Sequence, residues 1–385
     1  MKLEEIKAIK QKLAMDMPIQ KEADSPSVKH YTTLREDDLT PLLRTNRSGC
    51  AGMQRNITTH NGSPCRLFGG ETLKFLQIDQ AIGEGYVNVE DLFTDEYDKL
   101  SAVNQGFFTD GFWLSIPNGY QDERMISILQ TGDREFNSRS LYSIGKNSSS
   151  KILENFIITG NSRVSQGTVI RIGENSSLDY FLLEDEENSD LSYMERTIVM
   201  ERYSRLRIHH LSLPGKKSVS RFRIIEKGEH AESHYYGATL GKNDEHHDLE
   251  VFTDHFAPYG RNDTIFKGIL GGKSSVIFRG FIRIEEEAMS TESFLVANLL
   301  LLTKEAKGNA VPVLEIYNGE VRAKHGETVS NISEEEIMYL MSRGLDLRSA
   351  KRAVIEGFIS PIIYPLPEKI SSKYMEIVED VVGND

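Results

Sequence analysis

Between about residues 111 and 330 the chain passes through one β-type segment after another, and no long helical pattern interrupts them. Gly167–Ile172, Leu178–Leu183, Thr197–Leu213, Ser220–Ile225, His247–Thr253, Thr264–Leu270 and Ser275–Ile284 are such runs, and many alternate apolar with polar. In the last of them Val276, Phe278, Gly280, Ile282 and Ile284 fall on one side, with Arg279, Arg283 and Glu285 on the other. That is the period-two signature of a half-buried strand. Clusters such as Gly160-Asn-Ser, Gly173-Glu-Asn-Ser-Ser, Pro214-Gly and Gly271-Gly separate the runs and signal turns. Parallel strands of a βαβ sheet need a crossover helix between them, and this region has none. A sandwich, a large barrel or a coil of stacked strands remains, and periodicity alone does not choose among them.

The flanks read differently. Leu3, Ile6, Ile9 and Leu13 recur at helical spacing. A polar stretch over Thr45–Ser63 reads as a loop, helical patterning resumes over Val89–Leu92 and Asp98–Phe107, and Asp110-Gly111 marks a turn. Near the other end, Ser333-Glu-Glu-Glu336 forms a capping box, and Ile337, Leu340 and Met341 make an apolar stripe. Gly344 stands where a left-handed residue would close that helix. Asp346 can cap a second helix with Leu347, Ala350, Val354 and Phe358 along one face, and Pro361 and Pro365 are expected to stop it. The expected division is a helical and irregular region over 1–110, a β core over 111–330 and a helical hairpin over 331–385.

The net charge of −13 argues against nucleic acid, whose binders carry a basic patch to displace counterions, and an acidic surface repels anionic membranes. Cys50 and Cys65 are too few for a disulfide framework. The N-terminus lacks a basic segment followed by an apolar one, so no signal peptide is expected. No uninterrupted apolar run reaches the ~18 residues of a membrane span. The expected compartment is the cytoplasm.

Several constellations invite chemistry and resist it. Cys50, His60 and Cys65 fall short of four ligands in paired spacing. In His246–His255, a strand would put His247, Leu249, Val251, Thr253 and His255 on one face and Asp248, Glu250 and Asp254 on the other. Eight residues of strand span about 26 Å, too far for His247 and His255 to share an ion, so the segment reads as core on one face and surface on the other. Gly268–Ser274 resembles a phosphate loop, but the first glycine would have to be residue 267, which is lysine. The acidic run Glu184–Glu187 is expected to be a solvated loop, and Phe112 with Trp113 an anchor in the core.

Asn298-Leu-Leu-Leu301, Ala306, Pro312-Val-Leu-Glu-Ile316, Val321-Arg-Ala-Lys-His-Gly326 and Tyr339-Leu-Met-Ser-Arg-Gly344 are together similar to the pattern of the SufB/SufD family of iron–sulfur cluster assembly scaffolds. Asp98–Asn104, Phe107-Phe108, Asp110-Gly111 and Pro117 resemble the family's entry into its core. His247, Asp248, His255 and Phe266-Lys-Gly-Ile-Leu270 resemble the strands before the signature. The resemblance implies a mainly β fold: a right-handed β-helix of long strands flanked by helical ends. It further implies a non-catalytic scaffold that pairs with a SufB-like chain or with itself, and whose terminal hairpin binds a SufC-like ABC ATPase. For that contact the resemblance nominates Tyr339, Arg343, Gly344, Leu347, Ala350, Val354 and Phe358.

His325 is the residue the resemblance singles out, as an iron or cluster ligand at a seam between subunits. Neutral imidazole binds iron; the plain alternative is a histidine bonded to neighbouring backbone. SufB-type members carry a cysteine where Ile316 stands and a glutamate where Gly326 stands, so the chain resembles the SufD branch. Thiolate is the preferred cluster ligand, so any iron–sulfur cluster is expected to be transient and shared with a thiol-bearing partner, with no cofactor permanently bound. Two other readings compete. β-Helices include polysaccharide-cleaving enzymes, but those need paired acids, and the strand acids here are scattered. A purely structural β-solenoid is the other.

Overall fold

The computed structural model describes residues 2–19, 34–45, 57–65, 68–69, 73–95, 98–366 and 368–383. Among them the strands form two ten-stranded sheets. Successive strands alternate between the sheets, so each turn of chain adds one strand to each. From Gln121–Gly132 the first sheet continues through Ser149–Ile158, Ser177–Asp185, Arg205–Leu213, Glu232–Gly241, Arg261–Leu270 and Glu292–Leu301 to Arg322–Asn331. From Phe112–Ile116 the second continues through Phe136–Ile144, Arg163–Ile172, Leu191–Met200, Ser218–Glu226, His246–His255 and Ser275–Ile284 to Lys307–Ile316. All neighbours in these two series are parallel. Of the three architectures left open by periodicity, this is the β-solenoid. It needs no crossover helices because each strand returns through the opposite sheet.

The alternation read over Ser275–Ile284 is realised: Val276, Phe278, Ile282 and Ile284 are buried in the core between the sheets. Thr197–Leu213, read as one run, is two strands, Leu191–Met200 and Arg205–Leu213. The chain turns at Tyr203, whose φ is 57°, so apolar patterning carries on across a corner that no glycine or proline marks. The same corner recurs. Asn147, Asn175, Tyr203, His230, Tyr259 and Ser290 all take positive φ. Each donates its N–H to a carbonyl of the next turn, from Asn147 to Glu174 through to Ser290 to Glu320.

Helix Leu3–Asp16 and helix Lys99–Phe107 pack together on the outer face of the second sheet, where Ala14, Leu100, Ala102 and Val103 meet Leu191, Tyr193 and Val219. Asp98 accepts the Ser101 N–H at 2.9 Å as N-cap. On the first helix Ile6 and Ala14 are buried, while Ile9 and Leu13 of the expected stripe are largely exposed. It docks through polar side chains instead: Gln11 donates to the Gly106 carbonyl at 2.8 Å and Lys7 to that of Phe108 at 2.8 Å. Of the expected loop over Thr45–Ser63, residues 46–56 lie outside the described residues, and Ile57–His60 is a strand. At Asp110-Gly111 the chain enters the solenoid. Gly111 has φ 155°, and a Cβ there would lie 1.7 Å from the Arg139 carbonyl oxygen, so only glycine fits. Phe112 and Trp113 are buried as expected.

At the other end Ser333 caps helix Glu334–Ser342, Gly344 has φ 98°, and Asp346 caps the next helix by accepting from Ser349 at 2.7 Å. Pro361 does not stop that helix, which runs over Leu347–Ile363. A proline removes the bond to the carbonyl four residues back; here the Ser360 hydroxyl donates to that Gly357 carbonyl at 3.0 Å. A third helix, Glu368–Gly383, follows. Ile355, Ile359, Ile362 and Ile363 seal the second helix against Phe181, Leu183, Leu211, Leu213, Leu240, Ile269 and Leu300 on the outer face of the first sheet.

Candidate functional site

At the far end of the solenoid the two last strands, Lys307–Ile316 and Arg322–Asn331, have no neighbouring strand on their outer side among the described residues. Their residues are exposed or half-buried along the whole length, unlike any earlier pair in the stack. Pro312 stands within the first of them, and a terminal strand is where a missing donor is tolerated. The strand Arg322–Asn331 contains no proline and offers an unpaired backbone edge to another chain.

His325 lies on that strand. In the parallel register it pairs with Leu295, a core residue 2% exposed, so His325 belongs to the inward-facing set. It is nevertheless exposed, because no further turn covers it. It forms no hydrogen bond or ion pair with any described residue. Ile316 lies on the corresponding face of the other terminal strand, in register with the core residue Ile284, and is 41% exposed. Ala310, Leu314 and Ala323 pack against the end of the core. The end is thus a largely apolar mouth whose inward register also carries the His325 imidazole and, in register with the core residue Ala297, the exposed Glu327. Among the described residues no group of three or more His, Cys, Asp or Glu is placed to hold a metal ion, so the described residues do not complete a ligand set around His325. Cys50 lies outside the described residues. His60 is engaged at both ring nitrogens, by Thr131 at 3.0 Å and Asn61 at 3.1 Å.

The hairpin residues divide into three groups. Tyr339, Arg343, Gly344 and Leu347 are exposed, and the Arg343 guanidinium lies 5.2 Å from the centre of the Tyr339 ring. Val354 and Phe358 are half-buried and, with Tyr339, Leu340 and Leu300, line a groove of about 840 Å³ between the hairpin and the sheet. Ala350 is fully buried, so its part is packing within the hairpin. The expected stripe of Leu347, Ala350, Val354 and Phe358 therefore borders the sealed face, which the isoleucines form. Met341 of the expected stripe is exposed, unlike buried Ile337, and Met338, Leu345 and Tyr364, which sequence reading passed over because none falls on that stripe, add to the exposed apolar surface.

Most unlike expectation is the solenoid interior. Glu184 and Glu186, read as parts of a solvated loop, are fully buried. Glu184 ends a strand on the inward register and binds Arg196 at 2.7 Å and His210 at 2.9 Å. Arg196 also reaches Glu154 at 3.3 Å, which accepts the hydroxyls of Tyr142 at 2.6 Å and Tyr180 at 2.7 Å. Burial alone would raise the Glu184 carboxyl, but Arg196 and His210 outweigh it and bring it down to about 2. Glu186 has no such cation: burial, then the charge of Glu184, push it up to about 8. Burial, then neighbouring His210, hold His247 down to about 3, and this neutral ring bonds Ser220 and Thr239. Asp248 and Asp254, assigned to the surface face of their strand, are buried too. Asp248 binds Arg221 at 3.0 Å and Arg279, and Asp254 binds Arg223 at 2.7 Å. Two arrangements supply the partners: the next strand, in the opposite sheet, brings Arg196 to Glu184 and Ser192 to Glu186, while parallel stacking sets Arg221, Arg279 and Arg223 one turn away from Asp248 and Asp254. Within Gly268–Ser274, Gly268–Leu270 ends one strand and residues 271–274 turn into the next, with no helix following.

Residues 127–358, more than half of the chain, match the family described as "SUF system FeS cluster assembly, SufBD core domain". The chain is 24% identical over 304 residues to the iron–sulfur cluster assembly protein SufD of Bacillus subtilis (strain 168), covering 77% of this chain and 69% of the relative. It is 22% identical over 319 residues to SufB of the same organism, covering 79% and 68%. To SufD of Escherichia coli (strain K12) it is 24% identical over 220 residues, covering 57% and 52%. With a long parallel solenoid, helical ends and a match across the greater part of its length, the chain belongs to the SufB/SufD family, whose role is iron–sulfur cluster assembly.

Proposed function

We propose that this chain is a non-catalytic scaffold subunit of a SUF-type assembly complex, working in the cytoplasm without nucleic acid or membrane partners. The observation that carries the reading is the unfinished end of the solenoid. A largely apolar mouth and an unpaired strand edge are costly to leave in water, and a second chain stacked on them would bury both. That chain is SufB-like or a second copy. It would cover His325, which then serves as a ligand to a nascent cluster shared across the seam. The cluster is cargo, held transiently; none is permanently bound. Ile316 and Gly326, at the two positions where SufB-type chains carry cysteine and glutamate, support a SufD-like reading, in which thiolates come from the partner.

The terminal hairpin is the docking site for a SufC-like ABC ATPase. In support stand Met338, Tyr339 and Met341 on the capped helix Glu334–Ser342, Leu345 in the turn after it and Leu347 at the start of the next helix, each more than a third exposed, an adaptable apolar surface of the kind partners cover. The chain then divides by role into 1–110 as N-terminal flank, 111–330 as scaffold core and 331–385 as motor-binding arm. The test is co-expression with a SufC-like ATPase and a SufB-like chain. A stable complex should form, and changing Leu347, Val354 and Phe358 to polar residues should release the ATPase while keeping the SufB-like chain. Absence of any ATPase contact would defeat the reading.

A further inference from the structure

The hairpin sits on the solenoid through an apolar seam, and apolar seams do not by themselves fix register. A directional polar contact can. Lys267, on strand Arg261–Leu270, donates its ammonium to the main-chain carbonyl of Phe358 and lies 4.7 Å from the centre of the Phe358 ring. Among the described residues it has no carboxylate partner. Burial holds its pKa below the usual lysine range. A half-buried cation with only a helix carbonyl and a ring face for company is retained at some cost, and the contact falls within the turn that Pro361 loosens. The strand that carries Lys267 is two places from the terminal strand, in the register Lys267, Asn298, Thr328.

We propose that Lys267 is a positioning residue: it pins helix Leu347–Ile363 to the solenoid wall, and so shapes the groove lined by Val354 and Phe358 and ties it to the sheet that ends in His325. The part concerning the partner rests on the hairpin being the ATPase-docking site; the pinning does not. Hydrogen exchange on the full-length chain separates the two. Lys267→Met keeps the bulk and removes the charge. It should speed exchange of amides 357–364 about tenfold and leave the strands unchanged, while Lys267→Arg restores most of the protection. In the complex, Lys267→Met should weaken ATPase binding about tenfold, with Lys267→Arg again restoring it. Unchanged exchange in Lys267→Met, or equal exchange in the Met and Arg variants, overturns the proposal. If the Met variant fails to fold, Lys267→Gln is read against Lys267→Arg by the same two criteria. A wild-type chain that binds no ATPase would defeat the docking assignment and leave the exchange result to decide the pinning.

Discussion

Arg196 is the residue on which the interior depends most. Its guanidinium separates Glu154 from Glu184, all three less than 2% exposed. Removing one partner of a buried ion pair leaves a charge with neither water nor counterion and costs about 3–5 kcal/mol. Arg196→Met should therefore lower the melting temperature markedly, and a double change with Glu184→Gln should recover part of the loss; thermal unfolding checks both. Glu186 makes the opposite case. Folded, it keeps its proton to about pH 8; unfolded, it loses it near 4.5. Unfolding in that window releases a proton, so stability falls as pH rises from 4.5 toward 8 and levels off beyond. His247, neutral in the fold to about pH 3 and titrating near 6.5 once unfolded, works in the opposite sense below 6.5. Glu245, which burial raises to about 7, adds a slope of the same sign up to there. Between pH 7 and 8, then, Glu186→Gln should flatten the decline of melting temperature with pH. The sequence could not show either role: an acidic run looks solvated until the partner of each acid is known, and Arg196 and Ser192 reach Glu184 and Glu186 only once the next strand has folded into the opposite sheet.

At the scale of elements, what was legible depended on whether the signal is local. Ser275–Ile284 could be read because its alternation is complete within one strand. The caps Ser333 and Asp346 and the closing Gly344 could be read because each acts within four residues. The corners could not. Their left-handed position falls at intervals of 28, 28, 27, 29 and 31 residues, but is filled by Asn, Asn, Tyr, His, Tyr and Ser, so the repeat is geometric and leaves no motif. Tyr203, His230 and Tyr259 are held there in a stack, with ring centres 5.0 and 4.7 Å apart, which offsets the strain of a bulky left-handed residue. Pro361 misled for a related reason, since its cost depends on whether Gly357 finds another donor. Ser360→Ala should leave that carbonyl unbonded and loosen the helix by about 1 kcal/mol, whereas Pro361→Ala should tighten it; amide exchange over 355–363 distinguishes the two.

For the molecule as a whole, the sequence alone reached a β-rich body between helical ends, and the resemblance supplied the coil. On the proposed reading a second subunit covers the last turn, whose strands keep the parallel register of those before it. Ile316 and Val329 are 41% and 44% exposed at this mouth. Ile316→Lys with Val329→Lys should leave the melting temperature of the isolated chain nearly unchanged while abolishing association, measured by sedimentation.

The central claim is that His325 lies at a seam between chains and helps hold the nascent cluster. Its most direct test is anaerobic reconstitution of the intact complex with iron and sulfide, comparing wild type with His325→Ala after sedimentation has shown that both assemble. The account predicts weaker cluster absorbance and slower transfer to an acceptor in the variant. Equal absorbance and equal transfer would contradict it.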